Sequence, residues 1–233
     1  MINKTKFDCY LQSTCKKHSN KTCRECEEIY CPRISKVDYL FKEALLPLKQ
    51  RKRIPLRVDA DGTDADVFTQ LKAVENNIET FIDTGSNLFI YSPIAGNGKS
   101  SWAIRLIQAH IENIWYKSDL TCRALFISVP RYLLAIKNNI SNNDEYAQHI
   151  QKNIFEADLV VFDDIATKGI TQFEAENLFS IIDTRINMGK SNIFTSNIIP
   201  SQLNDLLGPR LTSRIVNLST VIQFRGRDKR GLV

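Results

Sequence analysis

The sequence predicts an α/β domain built on a parallel sheet, and three observations carry that prediction. Short, wholly apolar runs recur along the chain and are separated by stretches with helical periodicity. One such run leads into Gly96-Asn97-Gly98-Lys99-Ser100, a glycine turn that opens a helix. A later run, Leu159-Val160-Val161-Phe162, ends in Asp163-Asp164. Strands that are apolar throughout, rather than alternating, belong to a sheet covered on both faces.

The elements follow in order. Residues 37–46 read as a helix, followed by a basic connector ending near Pro55. Asp59-Ala60-Asp61-Gly62-Thr63-Asp64 reads as a turn, since a calcium loop would need its glycine elsewhere and a glutamate at the twelfth position. Residues 66–80 are helical by period, with Val67, Leu71, Val74 and Ile78 on one face. Strands are predicted at 88–91, 124–129, 159–162, 192–195 and 220–224. Helices are predicted at 100–113, 132–139, 145–155 and 173–188. Arg210 and Arg214, four apart, share one face of a further short helix.

A chain of 233 residues with 43% hydrophobic content holds one ordinary α/β domain and a small appendage. No apolar run reaches the eighteen or so residues of a membrane span, and the N-terminus lacks a signal-peptide core. A cytoplasmic protein without a membrane partner is expected. Residues 1–57 carry 14 Lys and Arg against 6 Asp and Glu, a net of +8; the remainder carries 17 against 20, a net of −3. A basic N-terminal region suits an acidic partner or nucleic acid, and equally a solvated surface.

The glycine turn has the chemistry of a phosphate-binding loop. Ala95, Gly96, Asn97 and Gly98 would curl the backbone so that its N–H groups point at phosphate oxygens. The helix beyond adds the positive end of its dipole. Lys99 supplies a point charge for the β- and γ-phosphates, Ser100 a hydroxyl ligand for Mg²⁺, and Ser101 completes the first helical turn. The full pattern begins with glycine, and here Pro93 occupies that position. Such a loop predicts carboxylates at the end of a later buried strand. Asp163 is assigned to Mg²⁺ and Asp164 to the base that polarises the attacking water. The alternative is a strand ending in a helix N-cap. Asn197, after the apolar run Ile193-Phe194, is placed to touch the γ-phosphate or that water.

Cys9, Cys15, Cys23, Cys26 and Cys31 crowd into the first 31 residues, and Cys122 stands apart as a packing residue. In a cytosolic chain this clustering favours metal over disulfides. Cys23-x2-Cys26 is a metal knuckle, and four of the five cysteines, with His18 in reserve, would hold a structural Zn²⁺. An iron–sulfur cluster and free thiols are the alternatives.

The phosphate loop, Asp163-Asp164, Thr195-Ser196-Asn197, Thr212-Ser213-Arg214-Ile215 and Gly226-Arg227-Asp228-Lys229-Arg230 occur in that order. The ordered set resembles the AAA+ ATPases of the DnaC/DnaI group, the bacterial and phage loaders of the replicative helicase. The resemblance covers roughly residues 60–233. It implies a P-loop AAA+ core at 58–233 that binds ATP and Mg²⁺, and a small Cys-rich, metal-binding domain at 1–57 that docks on a DnaB-like helicase. By the same resemblance Asn197 is similar to sensor 1. Arg214 resembles the arginine finger that reaches a neighbouring subunit's ATP, which implies self-association. Arg230 resembles the sensor 2 arginine. The chain stops nine residues after Phe224, so no C-terminal helical lid is expected. Single-stranded DNA is the implied nucleic-acid partner, with Arg131, Tyr132 and Lys137 as contributors. Transposition helper ATPases share the lidless core and are the alternative, and a non-hydrolysing adaptor is a third reading.

Overall fold

The computed structural model describes residues 32–52, 56, 58, 62–138, 144–167 and 169–229. Cys9, Cys15, Cys23, Cys26, Cys31, His18 and Arg230 lie outside the described residues, so the expected metal ligands and sensor 2 position do too. The chain runs α1 (Pro32–Glu43), a 3-10 turn (Leu48–Gln50), α2 (Ala65–Asn76), α3 (Ile78–Asp83), β1 (Asn87–Tyr91) and α4 (Lys99–Ile114). It continues β2 (Ala124–Ser128), α5 (Val129–Asn138), α6 (Glu145–Asn153), β3 (Leu159–Asp163), α7 (Gln172–Asn187) and β4 (Ser191–Ser196). It closes with α8 (Pro200–Leu207), α9 (Pro209–Val216) and β5 (Thr220–Gln223).

The five strands form one parallel sheet in the order β2-β3-β4-β1-β5. Alternate residues of β1, β2, β3 and β4 serve opposite cores, although these strands look largely apolar in sequence. Leu88 and Ile90 of β1, with Leu159 and Val161 of β3, pack against α1, α2 and α4. Phe89, Val160, Phe162 and Phe194 pack into the other core, against α5, α6, α7, α8 and α9. Phe162 and Phe194 stack across β3 and β4 with ring centroids 5.4 Å apart.

The expected helix over 66–80 is two helices. Asn77 breaks it, with φ −119° and ψ 33°, and its side-chain amide donates to the Ala73 carbonyl. An Asn that bonds its own preceding turn competes with helix continuation. Ile78, expected on the same face as Val67 and Leu71, is fully buried from α3 instead. The helix expected over 37–46 starts five residues earlier, at Pro32, and ends at Glu43; the other strands and helices agree with expectation to within three residues at each end, and α8 is additional. Thr171 and Glu174 close a capping box at the start of α7. Cys122 is buried; its thiol donates to the Glu43 and Ala124 carbonyls, and burial pushes its pKa up to about 12. It is a packing residue. No helix among the described residues is long and apolar enough to cross a membrane.

Polar groups buried near the amino ends of β3 and β4 lock the sheet to its helices. Arg185 of α7 is wholly buried and donates to the carbonyls of Ile154, Ala157 and Ser191 and to Asn192 Oδ1. Its planar fork ties α7, the loop before β3 and the start of β4 together. Close by, His110 of α4 is buried with Nδ1 2.9 Å from Glu79 of α3 and Nε2 3.8 Å from Asp158. Asp158 also meets Arg123 at 2.6 Å and Lys190 at 3.0 Å.

Burial alone would push the His110 imidazolium down, but Asp158 and Glu79 outweigh it, and the net shift is upward. A raised native pKa means that protonation stabilises the fold. That contribution is complete below the unfolded value of about 6.5 and is lost as pH rises through the higher native value. The stability advantage of the wild type over His110→Gln should therefore shrink as pH rises above about 6.5, in paired urea titrations.

Candidate nucleotide site

The site forms at the carboxyl ends of β1, β3 and β4, where open parallel sheets place ligands. β1 leads into Ser92, whose hydroxyl accepts the Ile94 N–H at 3.1 Å. Ser92 thus shapes the turn around Pro93, which has no N–H of its own and occupies the position where the full pattern has glycine. Gly96 and Gly98 have φ of 74° and 109°, a backbone that side chains resist. α4 begins directly at Lys99, with Gly98 in the N-cap position and no side-chain cap, leaving its first N–H groups to the loop.

Lys99 is buried. Its ammonium donates to the Ile94 carbonyl at 3.0 Å, to Asn97 Oδ1 at 3.2 Å and to the Ser92 carbonyl at 3.5 Å. The loop's own acceptors thereby hold the charge where phosphate oxygens would replace them. Asn97 is buried as well, and its amide donates to Ser92 Oγ at 2.7 Å. Ala95 is exposed at the loop tip, and Ser101 is half-buried on the first turn of α4.

Across the sheet, Asp163 ends β3 and is buried. Its Oδ1 accepts the Thr195 hydroxyl at 2.7 Å, and the Ser100 hydroxyl bonds to it as well. Burial pushes its pKa up; Ser100, Thr195 and Lys99 pull it down, Asp164 adds to the rise, and the net direction is up. A buried carboxylate facing a serine hydroxyl and a second carboxylate is the hard-oxygen donor set that Mg²⁺ favours. The residues present therefore fit that ion.

Asp164 takes φ 58°, a left-handed conformation that costs roughly 1–3 kcal/mol and that neighbours must enforce. They do so from β4. Thr195 Oγ1 accepts the Asp164 N–H at 2.9 Å, and Asn197 Nδ2 donates to Asp164 Oδ1 at 3.3 Å. Thr195 O also accepts the Ile165 N–H at 2.9 Å. Lys99, Ser100, Asp163, Asp164 and Asn197 thus form one connected group.

Arg214 lies outside that group. It projects from α9, half-exposed, and its guanidinium pairs with Asp183 of α7. Arg210 lies over the Phe179 ring at 4.5 Å. The expected DNA contributors fare unevenly. Tyr132 is 2% exposed in the core, where its hydroxyl faces Asn177, so it offers no stacking surface. Arg131 is exposed and lies over the Tyr146 ring at 3.9 Å, and Lys137 pairs with Glu174 at 3.0 Å. Sequence reasoning missed the bridging role of Thr195. The available signal was a hydroxyl on a strand otherwise buried on both faces.

Residues 70–221 match the family model of the bacterial DnaA ATPase domain. No curated protein matches the sequence at a significant level. Among solved structures, a DnaC helicase loader is similar at 19% identity, with 74% of this chain and 93% of that chain covered and a TM-score of 0.56. A primosome-component structure from Streptococcus pyogenes serotype M3 is similar at 20% identity, covering 82% of this chain and 98% of that one, with a TM-score of 0.58. The replication initiator DnaA bound to AMPPCP and single-stranded DNA is similar at 18% identity, covering 78% of this chain and 51% of that one, with a TM-score of 0.55. At these identities the structural likeness establishes the fold, an α/β core around a five-stranded parallel sheet.

Thr195→Val keeps the side-chain shape and removes both of its bonds to the aspartate pair. It should destabilise the fold by about 1–3 kcal/mol, the cost of leaving buried polar groups unpaired, as read by chemical denaturation.

Proposed function

The chain belongs to the family of the bacterial DnaA ATPase domain and is an ATPase, and from that premise we propose that it loads a hexameric DnaB-like replicative helicase onto single-stranded DNA. The observation that carries the proposal is the match of the whole AAA+ core to a structure described as a DnaC helicase loader, covering 93% of that chain. The likeness to a DnaA structure that holds AMPPCP and single-stranded DNA supports the nucleic-acid partner. A cytoplasmic location follows from this role.

In this reading the nest of residues 95–98 and the N-terminus of α4 hold the phosphates, and Lys99 exchanges its loop acceptors for phosphate oxygens. Ser100 and Asp163 would hold Mg²⁺, which supplies charge stabilisation on the phosphoryl oxygens. Asp164 accepts the proton of the attacking water, and the Asn197 amide fixes the carboxylate's direction. Arg214 acts on the ATP of a neighbouring subunit, exchanging Asp183 for phosphate, and Arg230 acts as a second sensor. An always-charged planar fork suits that exchange. The cysteine-rich part of residues 1–57, ahead of α1, serves as the helicase-docking domain, with Zn²⁺ on four of Cys9, Cys15, Cys23, Cys26 and Cys31. That assignment rests on sequence spacing and is checked by zinc content.

Asp164→Asn should keep ATP binding and lower turnover by about 10²–10⁴-fold, the usual contribution of a positioned base. Unchanged turnover would remove Asp164 from the mechanism. The loader role is tested by co-elution with a DnaB-like helicase, for the whole chain and for a version starting near residue 32, which keeps Val37, Leu40 and Phe41 in the core. Loss of co-elution on truncation, with nucleotide still bound, supports a docking domain joined to a motor. Co-elution that survives truncation overturns the docking assignment. Failure of the whole chain to bind the helicase overturns the loader role and favours a transposition helper.

A further inference from the structure

Asp64 stands immediately before α2, in the N-cap position where an aspartate ordinarily bonds the helix's own first N–H groups. Its side chain makes no such bond. It is instead 3% exposed, and its two carboxylate oxygens accept the backbone N–H groups of Arg225 at 2.8 Å and Gly226 at 2.9 Å. The chain segment so captured begins as β5 ends, where the Phe224 N–H bonds the Tyr91 carbonyl at 2.9 Å. From there it crosses the phosphate loop. The Gly226 carbonyl accepts the Asn97 amide at 3.4 Å, and the Lys229 N–H donates to the Gly96 carbonyl at 3.0 Å. Asn97 in turn holds Lys99 through its Oδ1.

We infer that Asp64 is a positioning residue for the nucleotide: by seating residues 225–229 on the phosphate loop it holds Asn97, and through Asn97 the Lys99 ammonium, in place. The inference rests on the assignment of Lys99 to the phosphates. A buried carboxylate with two backbone donors is a strong, directional anchor, because charge-assisted bonds are about twice as strong as neutral ones. Its partners are main-chain groups more than 160 residues away in sequence, so the anchor specifies a position rather than a side-chain type. Lys99 would meet the phosphates in the ground state and the transition state alike. Loosening it therefore weakens binding and leaves the chemical step nearly unaltered.

The test measures steady-state ATPase kinetics, binding of a fluorescent ATP analogue and thermal unfolding without nucleotide, on the full chain. Asp64→Ala should raise KM and the analogue's Kd by about tenfold with kcat within about twofold, at a temperature well below its own melting point. Asp64→Asn, which keeps one acceptor, should fall between the two and serves if the alanine variant does not fold. Adding Asp64→Ala to Asn97→Ala should raise KM no further, since both act through one connection. A lower melting temperature with unchanged KM and Kd would show that Asp64 is merely structural and would overturn the inference. Full additivity with Asn97→Ala would overturn it too. Lys99→Ala separates the two levels. If that variant binds the analogue as tightly as the wild type, the site assignment itself fails; if it loses binding while Asp64→Ala keeps it, the inference alone fails.

Discussion

The insertion of β4 between β1 and β3 is the constraint on which the rest of the site depends. β1 alone ends in the phosphate loop and β3 alone leads into two aspartates, and the two strands do not pair. β4 pairs with both, in register Tyr91 to Ser196 and Phe162 to Phe194. The ladder runs one step past the strand end, where the Ser92 N–H bonds the Ser196 carbonyl at 3.1 Å. One strand thereby sets the height of the loop and of the carboxylates together. Thr195 reaches from that strand to hold Asp163 by its hydroxyl and Asp164 by its N–H. Asn197, at the tip, reaches Asp164 as well.

The opposite end of the sheet holds the scaffold behind this arrangement. Arg185 and His110 are buried, and their partners come from several elements. Burying charges is costly unless every partner is present, so such groups tolerate few alternative packings. They lock the amino ends of β3 and β4 while leaving the carboxyl ends to loops. Loops on a fixed scaffold can carry strain, and the left-handed Asp164 is an instance.

The segment after β5 meets the turn before α2 at the same place. Residues beside α2 and residues beyond β5 meet over the phosphate loop through Asp64. The loop's basic side chain is therefore governed by residues that are remote in sequence. Arg214, by contrast, is not among these hydrogen-bonded residues and pairs with Asp183 of α7.

Much of the phosphate loop was legible because its chemistry is local. Glycines, a lysine and a helix start within a few residues must curl the backbone in one way whatever surrounds them. Strand positions were legible because uniform apolar runs have one reasonable fate. The same uniformity hid the two faces of each strand and the strand order, since nothing in Leu159-Val160-Val161-Phe162 says which neighbour it will have. Tyr132 looked like a surface aromatic beside basic residues, but its helix turns it into the core. The break at Asn77 depended on a side chain choosing its own backbone. Thr195 and Asp64 read as an ordinary strand residue and a turn residue; their roles come from hydrogen bonds across 31 to 162 positions. The sequence by itself determined the local pieces, namely the loop, the aspartate pair and the alternation of helix and strand, because short-range sterics and apolar periodicity decide them. Only the tertiary structure decided which pieces meet, because parallel pairing and burial join residues far apart in the chain and act only once the sheet has formed.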